Sequence, residues 1–231
     1  MMRRTGQTLV FDADDTLWEN NVLFERVIDD FMDWLRHPTL DRAAIRALFN
    51  DIEAANVVSH GYGSQVFLRS LAECFARLLE RPATEAERQE IDALAVALVE
   101  HRVELVPGVA ETLAELGSRH ELLLLTKGQP EEQQNKVDIS GLGHHFRTIH
   151  IVSEKNVDTY RMLVAEEGLT PSDTWMIGNS PKSDINPARS AGLKAVFIPN
   201  DNTWVLEHED VDLHDPGVLR LDRFPDLLAH F

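Results

Sequence analysis

The stretch TLVFDADDTL, residues 8–17, decides the fold and locates a candidate site. Its first half is an apolar run rich in Val and Phe, which predicts a buried strand. Three carboxylates follow, and burying like charges beside an apolar strand costs free energy unless a cation or a reacting group offsets it. The stretch therefore predicts a metal-dependent catalytic site at the end of the first strand.

Four further apolar runs along the chain also predict strands. They are residues 121–126, 147–152, 173–178 and 194–199, with helix-period segments at 109–116, 157–167 and 186–191. Apolar runs that do not alternate suit strands buried on both faces of a parallel sheet. We therefore predict an α/β fold, a doubly wound, mainly parallel Rossmann-like sheet with its site at the carboxyl ends of the strands.

The region between the first two predicted strands has helical periodicity and no strand pattern. Its helix-period segments are residues 22–35, 41–55, 64–80 and 84–103. Prolines and a Gly-Tyr-Gly turn separate these segments, as is typical of connections between helices. We predict an inserted α-helical cap subdomain at residues 21–104 and an α/β core formed by residues 1–20 and 105–231.

Composition narrows the expected partners and location. The formal net charge is −17, which disfavours binding to nucleic acid or to an anionic membrane. No window approaches the roughly 18 to 20 apolar residues of a membrane-spanning helix. The single cysteine, Cys74, cannot form an intramolecular disulfide, and no signal peptide is recognisable. We therefore expect a cytoplasmic protein with neither nucleic acid nor membrane as a partner.

Several side chains carry candidate chemistry. Asp12 and Asp14 are two residues apart, so their carboxylates point the same way on an extended backbone. One could attack an electrophile while the other manages the proton of the leaving group. Thr126 and Lys155 follow later strands and could hold an oxyanion. The loop at residues 178–184 offers oxygen ligands suited to a hard cation such as Mg²⁺.

These segments resemble the haloacid dehalogenase superfamily, and within it the subgroup with a helical cap inserted after the first strand. The first motif of the family stands at residues 12–17 and the second at residues 122–126. The third motif is Lys155, and the fourth is Gly178-Asn179 with Asp184. The four motifs stand in the family's order, and the resemblance covers essentially the whole chain.

The resemblance implies a role for each matching residue. Asp12 would be the nucleophile that takes the phosphoryl group. Asp14 would protonate the leaving alcohol and then deprotonate the attacking water. Asp12, Asp14 and Asp184 would bind Mg²⁺, with Asp14 acting through its backbone carbonyl. Asp14 favours phosphoryl transfer, because the dehalogenase branch lacks an acid there and a halide needs no proton. The implied enzyme is a Mg²⁺-dependent phosphatase that acts on a small phosphorylated metabolite.

One residue departs from the family pattern and keeps alternatives open. Asn179 stands where the family usually has Asp, so it would offer an amide oxygen to the metal and remove one negative charge. A weakened metal affinity with retained activity is the hypothesis. The alternatives are a phosphomutase that uses the same two aspartates, or a catalytically weakened protein that binds a phosphorylated ligand.

Five residues are candidates for substrate binding. They are Trp18, Asn20, His60, Tyr62 and Lys127. The first two follow the first motif and could instead only shape the start of a helix. His60 and Tyr62 flank a glycine turn that could simply connect helices. Lys127 and Lys136 are also alternatives to Lys155 as the cation of the site.

Overall fold

The structure is a computed structural model that describes residues 6–99 and 103–231. The chain divides into two compact units, one formed by Met1–Asn21 with Val103–Phe231 and the other by Val22–Arg102. The strands within the described ranges are β1 (Thr8–Phe11), β2 (Trp18–Glu19), β3 (Glu104–Leu105), β4 (Glu121–Lys127), β5 (Thr148–Val152), β6 (Thr174–Gly178), β7 (Lys194–Phe197) and β8 (Val218–Arg220).

Helices connect these strands and form the second unit. The α-helices are α1 (Asn21–Leu35), α2 (Arg42–His60), α3 (Ser64–Leu78), α4 (Glu85–Leu94), α5 (Val96–Val99), α6 (Val109–Gly117), α7 (Pro130–Ser140), α8 (Val157–Glu167) and α9 (Asn186–Ser190). Single turns of 3₁₀-helix lie at Gly143–His145, Pro171–Asp173 and Val205–Glu207, a longer one at Phe224–Ala229, and a π-helical turn at Pro181–Ile185.

Six strands of the first unit form one parallel sheet in the order β5-β4-β1-β6-β7-β8. Its central strands are buried on both faces. Leu122 and Leu124 of β4 belong to an apolar core that includes α6. Leu123 and Leu125 belong to a second core that includes residues of α8. The predicted doubly wound α/β fold is confirmed, and the run of four leucines is the pattern expected of such a strand.

Strand β1 lies at the point where the direction of winding reverses. The chain runs from β1 to β4 and β5 on one side, and then to β6, β7 and β8 on the other. Such a reversal leaves a crevice outside the carboxyl ends of the strands. Phe11, the last residue of β1, is paired with Leu124 and with Ile177. The residues that follow these strands are therefore gathered at one edge of the sheet.

The described part of the second unit, residues 22–99, is helical and has its own apolar core. Residues from α1 to α5 contribute to it. Cys74 is fully buried there, and burial raises the pKa of its thiol to about 12. A thiol in this state is unreactive, because the thiolate is the nucleophilic form.

The helices of this unit differ in length from the predicted segments. Helix α2 continues to His60 and ends at Gly61, whose φ of 79° lies in the left-handed region. The amide of Asn56, beyond the predicted end, donates to Ser70 of α3, so tertiary contact extends the helix. The predicted helix at 84–103 is divided at Ala95 into α4 and α5. Its last residues include 100–102, which lie outside the described ranges.

Three short strands were not predicted: β2, β3 and β8, the last of which pairs with β7 at the edge of the sheet. Trp18 of β2 pairs with Leu105 of β3, and Glu19 pairs with Glu104, in an antiparallel ladder. Strands of two residues are too short to show a hydrophobic period, so the pairing depends on contacts distant in sequence. Among the described residues, no helix has the length and apolar character needed to cross a membrane.

Ile177 of β6 is fully buried, whereas Ile139 of α7 is 52% exposed. We expect Ile177→Ala to lower the free energy of unfolding by about 2–5 kcal/mol, because it removes buried methyl groups and leaves a cavity. The matched variant Ile139→Ala should change that free energy by less than about 0.5 kcal/mol. Urea unfolding followed by circular dichroism measures both, and equal losses would contradict the burial of Ile177.

Candidate active site

The candidate site lies at the edge of the sheet where its central strands end. Asp12 follows β1, Thr126 is the penultimate residue of β4, and Asn179 follows β6. Lys155 lies three residues beyond β5, and Asp184 lies in the π-helical turn. All five of these sequence-predicted residues are buried. The parallel sheet therefore brings residues from four segments of the chain to one place.

The ammonium of Lys155 joins two of the carboxylates. It donates hydrogen bonds to Asp12 Oδ1 and, at 2.9 Å, to Asp184 Oδ1. The side chains of Lys155 and Asp184 are each only 1% exposed. Of the three protons of the ammonium, two are used by these carboxylates, so the third is available to a further acceptor.

The charged side chains of Lys155, Asp12 and Asp184 are buried, so the charge of each acts on the others more strongly than it would in water. Burial disfavours the charged ammonium, but the two carboxylates hold the pKa of Lys155 above its usual value. Burial and the charge of Asp184 raise the pKa of Asp12 to about 7, against the opposing effect of Lys155. One lysine therefore does not fully compensate two buried carboxylates, and the group accommodates more positive charge.

Thr16 and Asn179 complete the surroundings of Asp12. The hydroxyl of Thr16 lies 2.9 Å from Asp12 Oδ2 and 3.2 Å from Asn179 Oδ1, so these two oxygens share its single proton. The amide nitrogen of Asn179 donates to Thr203 Oγ1 at 2.9 Å. Asn179 is thus fixed on both sides, with its oxygen turned toward Thr16.

Gly178 makes room for the carboxylate of Asp184. A Cβ atom at residue 178 would lie 2.2 Å from Asp184 Oδ2, a separation that no side chain tolerates. The same Oδ2 accepts a hydrogen bond from the backbone N–H of Ser180 at 3.0 Å. The absence of a side chain at 178 and the turn at Pro181–Ile185 together aim Asp184 back toward Lys155.

Asp14 is held by a separate set of donors. Trp18 Nε1 donates to its Oδ1 at 2.7 Å, and Gln133 Nε2 donates to its Oδ2 at 2.8 Å. Lys136 Nζ lies 3.1 Å from both oxygens and also donates to Asn20 Oδ1 at 2.8 Å. Burial raises the pKa of Asp14, but the charge of Lys136 and the hydrogen bonds outweigh it and hold that pKa below its usual value.

Asp15 shapes the turn after the first motif. Its φ of 61° is left-handed, and its buried carboxylate accepts from the backbone N–H groups of Asn20 and Asn21, each at 2.9 Å. Burial raises the pKa of Asp15 to about 7, although these hydrogen bonds oppose the shift. Its carbonyl accepts from Asn200, which ties the turn to the segment after β7.

Lys127 belongs to a further ion pair beside the loop after β6. Its ammonium donates to Ser183 Oγ at 2.8 Å and to the buried carboxylate of Glu207. Glu207 also accepts from the hydroxyl of Ser180. Burial alone would raise the pKa of Glu207, but Lys127 and these hydrogen bonds hold it below its usual value. This network fixes the loop that carries Asp184.

The remaining predicted residues lie at different places. Trp18 is buried, and Asn20 is half-buried in the same turn. His60 is the last residue of α2 and Tyr62 lies in the turn before α3, so both belong to the second unit. The roles of these four residues and of Thr126 remain predictions.

Gln133 and Glu207 escaped the sequence interpretation, and Lys136 was considered only as an alternative to Lys155. Gln133 and Lys136 are three apart on α7, a spacing that places them on one face of a helix. That helix contains few apolar residues, so it lacks the amphipathic period that would have marked it. Glu207 lies far along the chain in a polar segment, and no local pattern distinguishes it.

The residues present fit a magnesium ion. Within residues 6–99 and 103–231, no group of three or more His, Cys, Asp or Glu side chains is placed to hold a metal. The candidate donors are two carboxylates, of Asp12 and Asp184, with the carbonyl of Asp14 and the amide oxygen of Asn179. Mg²⁺ is commonly bound by one or two carboxylates with substrate phosphate and water. The raised pKa of Asp12 agrees with a place for added positive charge.

Known proteins resemble this chain over much of its length. A model of haloacid dehalogenase-like hydrolases matches residues 7–192. A phosphoserine phosphatase of Thermus thermophilus is 33% identical over 130 residues, which cover 54% of this chain and 52% of that protein. The human N-acylneuraminate-9-phosphatase is 28% identical over 103 residues, or 42% of each chain. The match thus spans about half or less of these curated relatives.

A solved structure matches almost the whole chain. It is a haloacid dehalogenase-like hydrolase from Xanthomonas campestris, 27% identical, with a TM-score of 0.81. The match covers 97% of this chain and 95% of that one. Since the family model also covers far more than half of the sequence, this protein belongs to the haloacid dehalogenase-like hydrolase family.

Proposed function

We propose that this protein is a Mg²⁺-dependent phosphatase that hydrolyses a small phosphomonoester through an aspartyl-phosphate on Asp12. The observation that carries the proposal is the buried group of Asp12, Lys155 and Asp184 beside a separately held Asp14. Family membership and two curated relatives named as phosphatases support it.

Asp12 is the proposed nucleophile. One of its carboxylate oxygens would attack phosphorus, forming a bond to it while the bond from phosphorus to the substrate oxygen breaks. Lys155 would hold Asp12 in place and give its remaining proton as a hydrogen bond to a phosphate oxygen. Thr126, at the end of β4, is the proposed second group on the phosphate.

Asp14 is the proposed general acid and base. When protonated it would give its proton to the leaving alkoxide, and it would then take a proton from the water that attacks the aspartyl-phosphate. The second step breaks the bond between phosphorus and the Asp12 oxygen and restores both carboxyl groups. A halide leaving group needs no such proton, so the presence of Asp14 supports phosphoryl transfer over dehalogenation.

Asp12, Asp184, the carbonyl of Asp14 and the amide oxygen of Asn179 are the proposed holders of Mg²⁺. When bound, the ion supplies positive charge that offsets the two carboxylates and a phosphate dianion. The net charge of −17 makes that compensation more important, because the whole chain repels an anionic substrate.

A small phosphorylated metabolite is the proposed substrate, in a cytoplasmic setting. The unit Val22–Arg102 is the proposed cap subdomain of the family, and its His60 and Tyr62 are candidates for substrate binding. Trp18, Asn20 and Lys127 are candidates in the first unit. In the structure each of these three side chains contacts a charged one: Trp18 contacts Asp14, Asn20 contacts Lys136, and Lys127 contacts Glu207. These contacts favour a role in shaping the site.

Asp12→Asn should abolish metal-dependent phosphate release, because an amide is a far weaker nucleophile than a carboxylate. The measurement is phosphate release from p-nitrophenyl phosphate and a panel of phosphomonoesters, with Mg²⁺ and with a chelator. The matched control is Asp173→Asn, which changes an exposed aspartate before β6 and should keep the wild-type rate.

Full activity of Asp12→Asn would contradict the assignment of the nucleophile. Isomerised substrate with no phosphate release from the wild type would indicate a phosphomutase instead. Binding of phosphate esters without any turnover would indicate a protein that only binds them.

Asn179→Asp should lower the Mg²⁺ concentration for half-maximal activity roughly tenfold, equivalent to about 1.4 kcal/mol, because it adds a charge to the donor set. Thr16 can still donate to the new carboxylate and Thr203 can turn its hydroxyl to do the same, so the change fits the site. Gln134→Glu, which adds a charge at an exposed residue of α7, should leave this concentration unchanged. An unchanged Mg²⁺ dependence in both variants would contradict a metal-binding role for Asn179.

A further inference from the structure

The carboxylate of Asp14 is held by three donor groups. Trp18 donates to Oδ1, Gln133 donates to Oδ2, and Lys136 reaches both oxygens at 3.1 Å. These contacts engage both carboxylate oxygens, and the two donor side chains on Oδ2 both come from α7. Asp14 is therefore fixed in orientation as well as in place, which a solvated carboxylate in a surface turn would not be.

The ammonium of Lys136 is engaged by Asp14 and by Asn20. Its ammonium has three donors, and they are directed at the two oxygens of Asp14 and at Asn20 Oδ1. The side chain is only 10% exposed. Lys136 thus holds Asp14 against the turn that contains Asn20.

Gln133 reaches Asp14 through a space kept open by a glycine. Its amide nitrogen donates both to Asp14 Oδ2 and to the carbonyl of Lys127, each at 2.8 Å. A Cβ atom on Gly128 would lie 2.8 Å from this nitrogen, and the φ of Gly128 is +146°. The bend after β4, the glycine and the first turns of α7 therefore act together to bring Gln133 and Lys136 onto one carboxylate.

We propose that Lys136 and Gln133 are positioning residues that orient Asp14 for proton transfer to the leaving group. The inference rests on the proposed function. A general acid must lie within hydrogen-bond reach of the atom it protonates, and small displacements lower the rate of that step. Both side chains come from α7, so this helix aligns the group that handles the proton, whereas Lys155 aligns the nucleophile.

The dependence of kcat on the leaving group distinguishes this role from a merely structural one. A p-nitrophenolate departs without a proton, whereas the alkoxide of glycerol phosphate needs one. Lys136→Met should therefore lower kcat for glycerol phosphate by roughly 10- to 100-fold more than kcat for p-nitrophenyl phosphate. KM for both substrates should change little, because both side chains are engaged by Asp14.

Three further variants make the test specific. Gln133→Met should show the same preference in weaker form and serves if Lys136→Met does not fold. Lys136→Arg should restore part of the lost kcat, because it keeps a charged donor. Adding Lys136→Met to Asp14→Asn should lower kcat no further than Asp14→Asn alone, as expected of residues that act as one unit. Lys194→Met, at the opposite end of the sheet, is the control for removing a lysine.

The outcomes are distinguishable. A loss of kcat that is larger for glycerol phosphate than for p-nitrophenyl phosphate, in folded Lys136→Met and Gln133→Met, supports the inference. Equal losses on both substrates, or no loss, would overturn it while the wild-type activity upholds the proposed function. A folded wild type that releases phosphate from neither substrate would overturn the proposed function, and the inference with it.

Discussion

The candidate site depends on the buried ammonium of Lys155, which holds Asp12 and Asp184 together. These residues come from three loops, after β5, β1 and β6, so the one cation fixes the relative positions of three strand ends. Leaving a buried charge without its partner typically costs about 3–5 kcal/mol. Lys155 therefore stabilises the pair of carboxylates at this edge, and Gly178 provides the space in which Asp184 reaches it.

Three of the chain's five lysines form ion pairs with carboxylates in or beside the site. Lys155 compensates the proposed nucleophile and metal ligand, Lys136 compensates Asp14, and Lys127 compensates Glu207. Each ion pair is buried or partly buried and hydrogen-bonded, so each carboxylate has its own electrostatic environment. A strongly acidic chain thereby concentrates cations where an anionic substrate is proposed to bind. Because Asp12 and Asp14 pair with different lysines, these two neighbouring aspartates can have different proposed roles.

Most of the sheet could be predicted from sequence, because buried parallel strands leave continuous apolar runs such as residues 121–126. The positions of Asp12, Lys155 and Asp184 followed from the strand ends that precede them. The contacts of Gln133 and Lys136 with Asp14 could not be found this way. Helix α7 has too few apolar residues to show a period, and the pairing of β2 with β3 joins residues more than eighty apart in sequence. Such contacts join residues that are far apart in sequence, so no local sequence pattern predicts them.

The most direct test of the proposed mechanism is to trap the phosphorylated enzyme. Wild-type protein in excess over a phosphomonoester would be mixed with it in the presence of Mg²⁺, quenched rapidly at low pH, digested and examined by mass spectrometry. We expect one phosphoryl group on Asp12, which appears and decays before phosphate release is complete. Phosphate release without any phosphorylated chain, or a phosphoryl group on a different residue, would contradict the role of Asp12 as nucleophile.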